Sequence, residues 1–126
     1  MSLRSPLGRV LGLGAAGHGT GHWWQQRVTA AALALLGVWF VICLLGLDLA
    51  DRDAIIDWVG RPLNAALLAL LVFSAAWHSQ LGVRVIIEDY VHSGLRIPLL
   101  VALQFLHVLA GAVGLLAVLQ IVSGGR

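Results

Sequence analysis

Three long apolar runs limit this chain to very few folds. They span about Val28 to Leu47, Leu63 to Ile87 and Ile97 to Val122, and only Asn64, Ser74, His78, Gln80 and Arg84 interrupt the second. Each reaches the roughly 20 residues a helix needs to cross a hydrocarbon core of about 30 Å. Within lipid, a helix is the form that satisfies every backbone group inside one segment. None of the runs alternates with the period of two that a strand would require. The sequence therefore predicts an all-α membrane protein with three transmembrane helices. Hydrophobic residues make up 60% and charged residues 11% of the 126 residues, which excludes an ordinary soluble domain.

The connections are polar. Asp48 to Arg61 holds four aspartates and two arginines, and Pro62 suits the first turn of the second helix. Glu88 to Arg96 holds two acids, His92 and Gly94, a plausible helix stop before Pro98. Residues 1–27 form an N-terminal polar segment with Arg4, Arg9 and Arg27 and no acid. Leu3, Leu7 and Leu11 would line one face of a short helix there, which suggests a segment lying on the membrane or docking on a partner. Residues 28–122 form the three-helix unit and 123–126 a short tail. Ala110 and Gly114, one turn apart, permit close helix packing against other subunits.

Several function classes fall away. All eight basic residues are arginines, a small excess over six acids. No basic patch stands beside aromatics on a polar surface, so nucleic acid is not expected as a partner. The single Cys43 excludes an internal disulfide and any multi-cysteine metal site. Gly12-Leu-Gly14-Ala-Ala-Gly17 matches G-x-G-x-x-G by letter, yet it follows no strand and opens no crossover unit, so it reads as a Gly/Ala loop.

Arginine counts near the span ends set the expected orientation. Arg4, Arg9, Arg27, Arg84 and Arg96 fall on one side, and Arg52, Arg61 and Arg126 on the other. The expectation is an N-terminus in the cytoplasm and a C-terminus outside it.

The second run carries the chemistry. Ionisable groups are costly inside a bilayer, so His78 is a functional candidate. Its imidazole suits a haem iron, or equally a hydrogen bond to a neighbouring helix. Asp89 follows His78 by eleven positions. On a continuous helix that is three turns and about 20° off the same face, about 16 Å further along. Gly82 clears nearly the same face one turn after His78. Tyr90 can donate a hydrogen bond to a carbonyl oxygen, although tyrosine also favours membrane boundaries for its own sake. His107, about ten residues into the third helix, is a competing ligand at similar depth. A bis-histidine haem within one chain, on His78 and His107, is thus the alternative reading. The spacing assigns no role to His18 or His92.

Two motifs give the chain a family resemblance. One is H-x11-D-Y, from His78 to Asp89-Tyr90. The other is H-W-x3-R-V, from His22-Trp23 to Arg27-Val28. With the Gly12 to Ala16 and Gly19 to His22 pieces, the chain resembles the D-type hydrophobic membrane-anchor subunits of succinate dehydrogenase, alphaproteobacterial branch.

That resemblance implies three transmembrane helices beside a second, cytochrome b-type anchor subunit, within a larger anchor bundle. It implies one haem b between the two, with His78 as this chain's axial ligand. It further implies that Tyr90 hydrogen-bonds ubiquinone, that Asp89 is its neighbouring acid, and that Arg27 and His22 lie on the haem and quinone side. Succinate would be oxidised on a flavoprotein partner, with an iron–sulfur subunit between, so the chain would be part of an oxidoreductase without a succinate-oxidising centre of its own. His107 has no counterpart in the pattern. With no obvious cleavable transit segment, a bacterial inner membrane is expected.

Overall fold

A computed structural model describes residues 19–124. Leu3, Leu7, Leu11, the Gly12–Gly17 stretch and His18 lie outside the described residues. Four helices follow in order: α1 Gly19–Leu45, α2 Arg52–Gly60, α3 Pro62–Tyr90 and α4 Arg96–Val122. No strand occurs among the described residues. The three long helices are each apolar and long enough to cross a bilayer, as the apolar runs predict.

α3 is the central helix. α1 packs on one side of it and α4 on the other, and α1 and α4 do not pack on each other. Successive long helices run antiparallel across the bundle, because each connection returns the chain to the same membrane edge. The core is correspondingly thin. Its buried apolar side chains are Val59, Ala65, Leu81 and Leu103. Residues such as Leu35, Ile42, Phe105 and Leu116 stay exposed on the outer faces, where lipid or other subunits take the place of water.

Two boundaries differ from the sequence reading. α1 begins at Gly19, so His22 to Arg27 continue the first helix instead of forming a separate segment. Trp23 and Trp24 sit on that extension, where indoles serve as membrane-interface anchors. The second difference is α2, a helix inside the Asp48–Arg61 connection. Asp51 caps it, its carboxylate accepting from the backbone N–H groups of Asp53 at 2.9 Å and Ala54 at 3.2 Å. Trp58 then stacks on Trp39 of α1, with ring centroids 5.8 Å apart and 22° between planes.

Pro62 opens α3 as expected. The Asn64 side-chain amide donates to the Trp58 carbonyl at 2.7 Å, which satisfies one of the carbonyls that the end of α2 leaves open. α3 ends at Tyr90, ahead of Gly94, and Val91 caps it through its N–H to Ile87.

The small residues of α4 serve a contact within the chain. A Cβ on Gly114 would stand 2.7 Å from Val72 Cγ1, and one on Gly111 would stand 3.5 Å from Ala76 Cβ. Gly114 therefore lets α4 approach α3, and it does not face another subunit. Ala110 remains exposed.

Candidate functional site

His78 lies near the middle of α3, about 18 Å from Tyr90 along the axis. Its ring is half-buried and faces α1. Nδ1 lies 3.1 Å from the Thr29 hydroxyl. Nε2 lies 3.3 Å from the Gln26 side-chain nitrogen. Thr29 and Gln26 are three residues apart on α1 and so share a face.

The two ring nitrogens thus meet two different partners on α1. The Thr29 hydroxyl has one proton and donates it to the Gln25 carbonyl at 2.8 Å. Its oxygen can then accept from a proton carried on Nδ1. The Gln26 amide nitrogen can only donate, so Nε2 must accept. Both contacts are compatible with a ring that carries its proton on Nδ1 and a lone pair on Nε2, the form that binds a metal through Nε2.

A ring in this form fits a haem iron. Metal-bound histidines hold their second nitrogen through an N–H bond to an oxygen, and here Thr29 supplies that oxygen. Gly82 leaves open the space one turn on, where a Cβ would stand 3.8 Å from the Gln26 side-chain nitrogen. What stands at Nε2 is the end of a flexible side chain, not backbone. The Gln26 side-chain oxygen, Oε1, is buried without a hydrogen-bond partner among the described residues. Gln26 is therefore incompletely satisfied where it sits and can be displaced.

His107 sits at the same depth but in a different interface. Its Nδ1 donates to the Leu103 carbonyl at 2.9 Å, because a carbonyl can only accept. Its Nε2 then accepts from the Ser79 hydroxyl at 3.2 Å. Ser79 follows His78 and lies 100° around α3, so His107 meets the α4 side while His78 meets α1. The depth inference holds. The pairing of His78 and His107 on one haem does not, because their Nε2 atoms point into separate helix interfaces.

A groove of about 340 Å³ opens between α3 and α4, lined by Phe73, Trp77, Gln80, Gln104 and His107 among others. His78 is not among its lining residues. Gln80 donates to Gln104 across this groove.

Asp89 and Tyr90 close α3, and the unbroken helix keeps Asp89 close to the His78 face, as the eleven-residue spacing requires. Both are exposed, Tyr90 at 79%. Carboxylates are unfavourable at a helix C-terminus, where the macrodipole is negative. Arg84 answers one of them by pairing with Glu88 at 2.9 Å. Among the described residues Asp89 has no ion pair.

His22 and Arg27 lie on the first turns of α1. Counted from the Gln26–His78 contact on antiparallel helices, Arg27 lies level with His78 and His22 about 6 Å nearer the Tyr90 end of α3. Arg27 lies over the Trp23 ring, 5.3 Å from its centroid, and neither residue bonds to His78 among the described contacts. The sequence reading missed Gln26 and Thr29. Their signal was two polar residues at helical spacing ahead of an apolar run.

The family described as succinate dehydrogenase/fumarate reductase transmembrane subunit matches residues 1–119. The chain belongs to that family. Its similarity to individual members is substantial. It is 33% identical over 107 residues to a protein of Rickettsia bellii, covering 84% of this chain and 86% of that one. It is 38% identical over 93 residues to one of Rickettsia conorii, covering 72% and 74%. It is 34% identical over 92 residues to one of Paracoccus denitrificans, covering 73% and 71%. All three carry the name succinate dehydrogenase hydrophobic membrane anchor subunit. No solved structure matches. The resemblance read from the H-x11-D-Y and H-W-x3-R-V motifs is thus borne out at the level of the family.

Proposed function

We propose that this chain anchors a succinate:quinone oxidoreductase in a bacterial inner membrane. It would give one axial ligand, His78, to a haem b and form part of a ubiquinone-reduction pocket through Tyr90 and Asp89. The observation that carries this reading is the setting of His78. Its Nδ1 lies 3.1 Å from the Thr29 hydroxyl and its Nε2 3.3 Å from the displaceable Gln26 amide, so a ring bound to iron through Nε2 would keep an oxygen acceptor for its Nδ1–H. Membership of the succinate dehydrogenase/fumarate reductase family and the names of the relatives support the assembly.

A second anchor subunit would supply the other axial ligand. Flavoprotein and iron–sulfur subunits would complete the complex. Oxidation of succinate to fumarate releases two electrons and two protons, and a quinone takes up two of each to become the quinol. Bound haem would supply a one-electron store near the pocket. Tyr90 donates its hydroxyl proton in a hydrogen bond to a quinone carbonyl. Asp89 passes protons to the reduced headgroup or pairs with an arginine of a partner. The membrane edge suits this substrate, since the isoprenoid tail stays in lipid while the headgroup meets polar groups. Arg27, level with His78, and His22, nearer the Tyr90 end of α3, would meet a haem propionate or the pocket rim. The arginine distribution supports a cytoplasmic position for this end of the bundle and the N-terminus.

The test is a reduced-minus-oxidised spectrum of the purified complex, together with succinate:quinone activity of Tyr90→Phe. A b-type band should accompany flavin and iron–sulfur subunits. Tyr90→Phe should keep that band and slow quinone reduction about tenfold, the equivalent of one hydrogen bond of about 1.4 kcal/mol. Full activity in the assembled variant would remove Tyr90 from the pocket.

A further inference from the structure

We infer that Thr29 is the positioning residue for His78, setting which nitrogen of the ring is presented to the iron. The inference rests on the proposed role of His78 as an axial ligand. It is drawn from a chain of three groups: His78 Nδ1 lies 3.1 Å from Thr29 Oγ1, and Thr29 Oγ1–H donates to the Gln25 carbonyl at 2.8 Å. The backbone carbonyl of Gln26, at 3.2 Å, is the hydroxyl's other near acceptor.

The chain has a direction. A threonine hydroxyl in a helix bonds readily to the carbonyl four residues back. Once its proton is committed there, the oxygen can only accept from His78. An imidazole bound to iron through Nε2 would carry its proton on Nδ1, where this oxygen is placed to accept it. The χ1 torsion of threonine is stiff, so this oxygen is held in place by the α1 backbone. Helix α1 thereby orients a ligand borne by helix α3.

Two effects follow for a bound iron. Without the hydroxyl, a ring N–H would face an apolar surface unpartnered, and the ring would turn or change tautomer. A hydrogen bond at Nδ1 also makes Nε2 a stronger donor, which favours ferric over ferrous iron. Its loss should therefore raise the midpoint potential of the haem.

The experiment compares Thr29→Val, Thr29→Ser and His78→Ala in the whole complex. The readouts are the redox midpoint of the b-type band and the rate of haem transfer to added apomyoglobin. Thr29→Val, nearly the same shape without the hydroxyl, should shift the midpoint to more positive values and weaken haem retention about 10–100-fold. Thr29→Ser should behave as the parent. If Thr29→Val fails to assemble, Thr29→Cys, a poor acceptor of similar size, carries the same expectation. A parental midpoint and parental retention in an assembled Val or Cys variant would overturn the inference alone. An unchanged low-spin spectrum in His78→Ala would overturn the ligand reading and, with it, this inference.

Discussion

The Thr29 hydroxyl and His78 Nδ1 meet 3.1 Å apart across the interface of α1 and α3. The side chain at the centre of the proposed site is thus oriented by a helix other than its own. The face of α3 toward α1 is the one prepared for chemistry. On the face toward α4, the polar groups are largely committed to one another.

Gln26 should act as a removable cap on His78. Its amide donates to Nε2 at 3.3 Å while its own carbonyl oxygen is buried and unpartnered. A ligand at Nε2 takes away the amide's partner and forces the side chain to swing. Gln26→Ala should therefore load haem faster than the parent, by about two- to tenfold if one hydrogen bond of 0.5–1.5 kcal/mol is relieved. Growth of the Soret band after haemin is added to haem-depleted complex measures it. Unchanged loading would mean that the amide presents no barrier.

His107 should prove structural. Both of its ring nitrogens are used, by the Leu103 carbonyl and the Ser79 hydroxyl. His107→Leu should leave the haem spectrum unaltered and lower stability by about 0.6–1.7 kcal/mol, the range measured for hydrogen bonds between transmembrane helices. Unfolding in mild detergent, run with Ser79→Ala and the double variant, isolates the pair. A lost or shifted b-type band would restore His107 as a ligand candidate.

The contrast between the two histidines marks where sequence reading ends. Length and hydropathy make three spans legible, because the bilayer dictates both. The depth of His107 is legible too, since antiparallel helices rise equally per residue. The side of α3 that each ring meets is not, because it depends on how helices apolar on every face rotate against one another. Gln26 and Thr29 are hidden for the same reason, as their partner lies about fifty positions away. α2 is hidden for another. Its aspartates read as a loop until Asp51 is recognised as a cap and Trp58 as a residue that stacks on α1.

That cap gives a local prediction. Asp51 accepts from two backbone N–H groups at the start of α2. Asp51→Ala should destabilise α2 by about 0.5–2 kcal/mol, while Asp51→Asn, which keeps an acceptor, should lose much less. Hydrogen exchange of the Asp53 and Ala54 amides reports it directly. Equal protection in the Ala variant would mean that the Trp39–Trp58 stack alone holds the helix.

Gly114 and Val72 set the closest approach of α4 to α3. A methyl at Gly114 would stand 2.7 Å from Val72 Cγ1, well inside van der Waals contact. Val72 cannot turn away cheaply, because β-branched side chains in helices hold one rotamer. Gly114→Ala should therefore push the helices apart and cost about 1–3 kcal/mol, the usual range for overpacking a tight contact. Val72→Ala in the same chain should recover most of that loss, since it removes the atoms that clash. The strain would also reach the Ser79–His107 bond, two turns along the same interface. Unfolding in detergent of the two single variants and the double variant gives the coupling. Additive losses would show that the two residues do not meet, and that α4 packs on α3 through a different register.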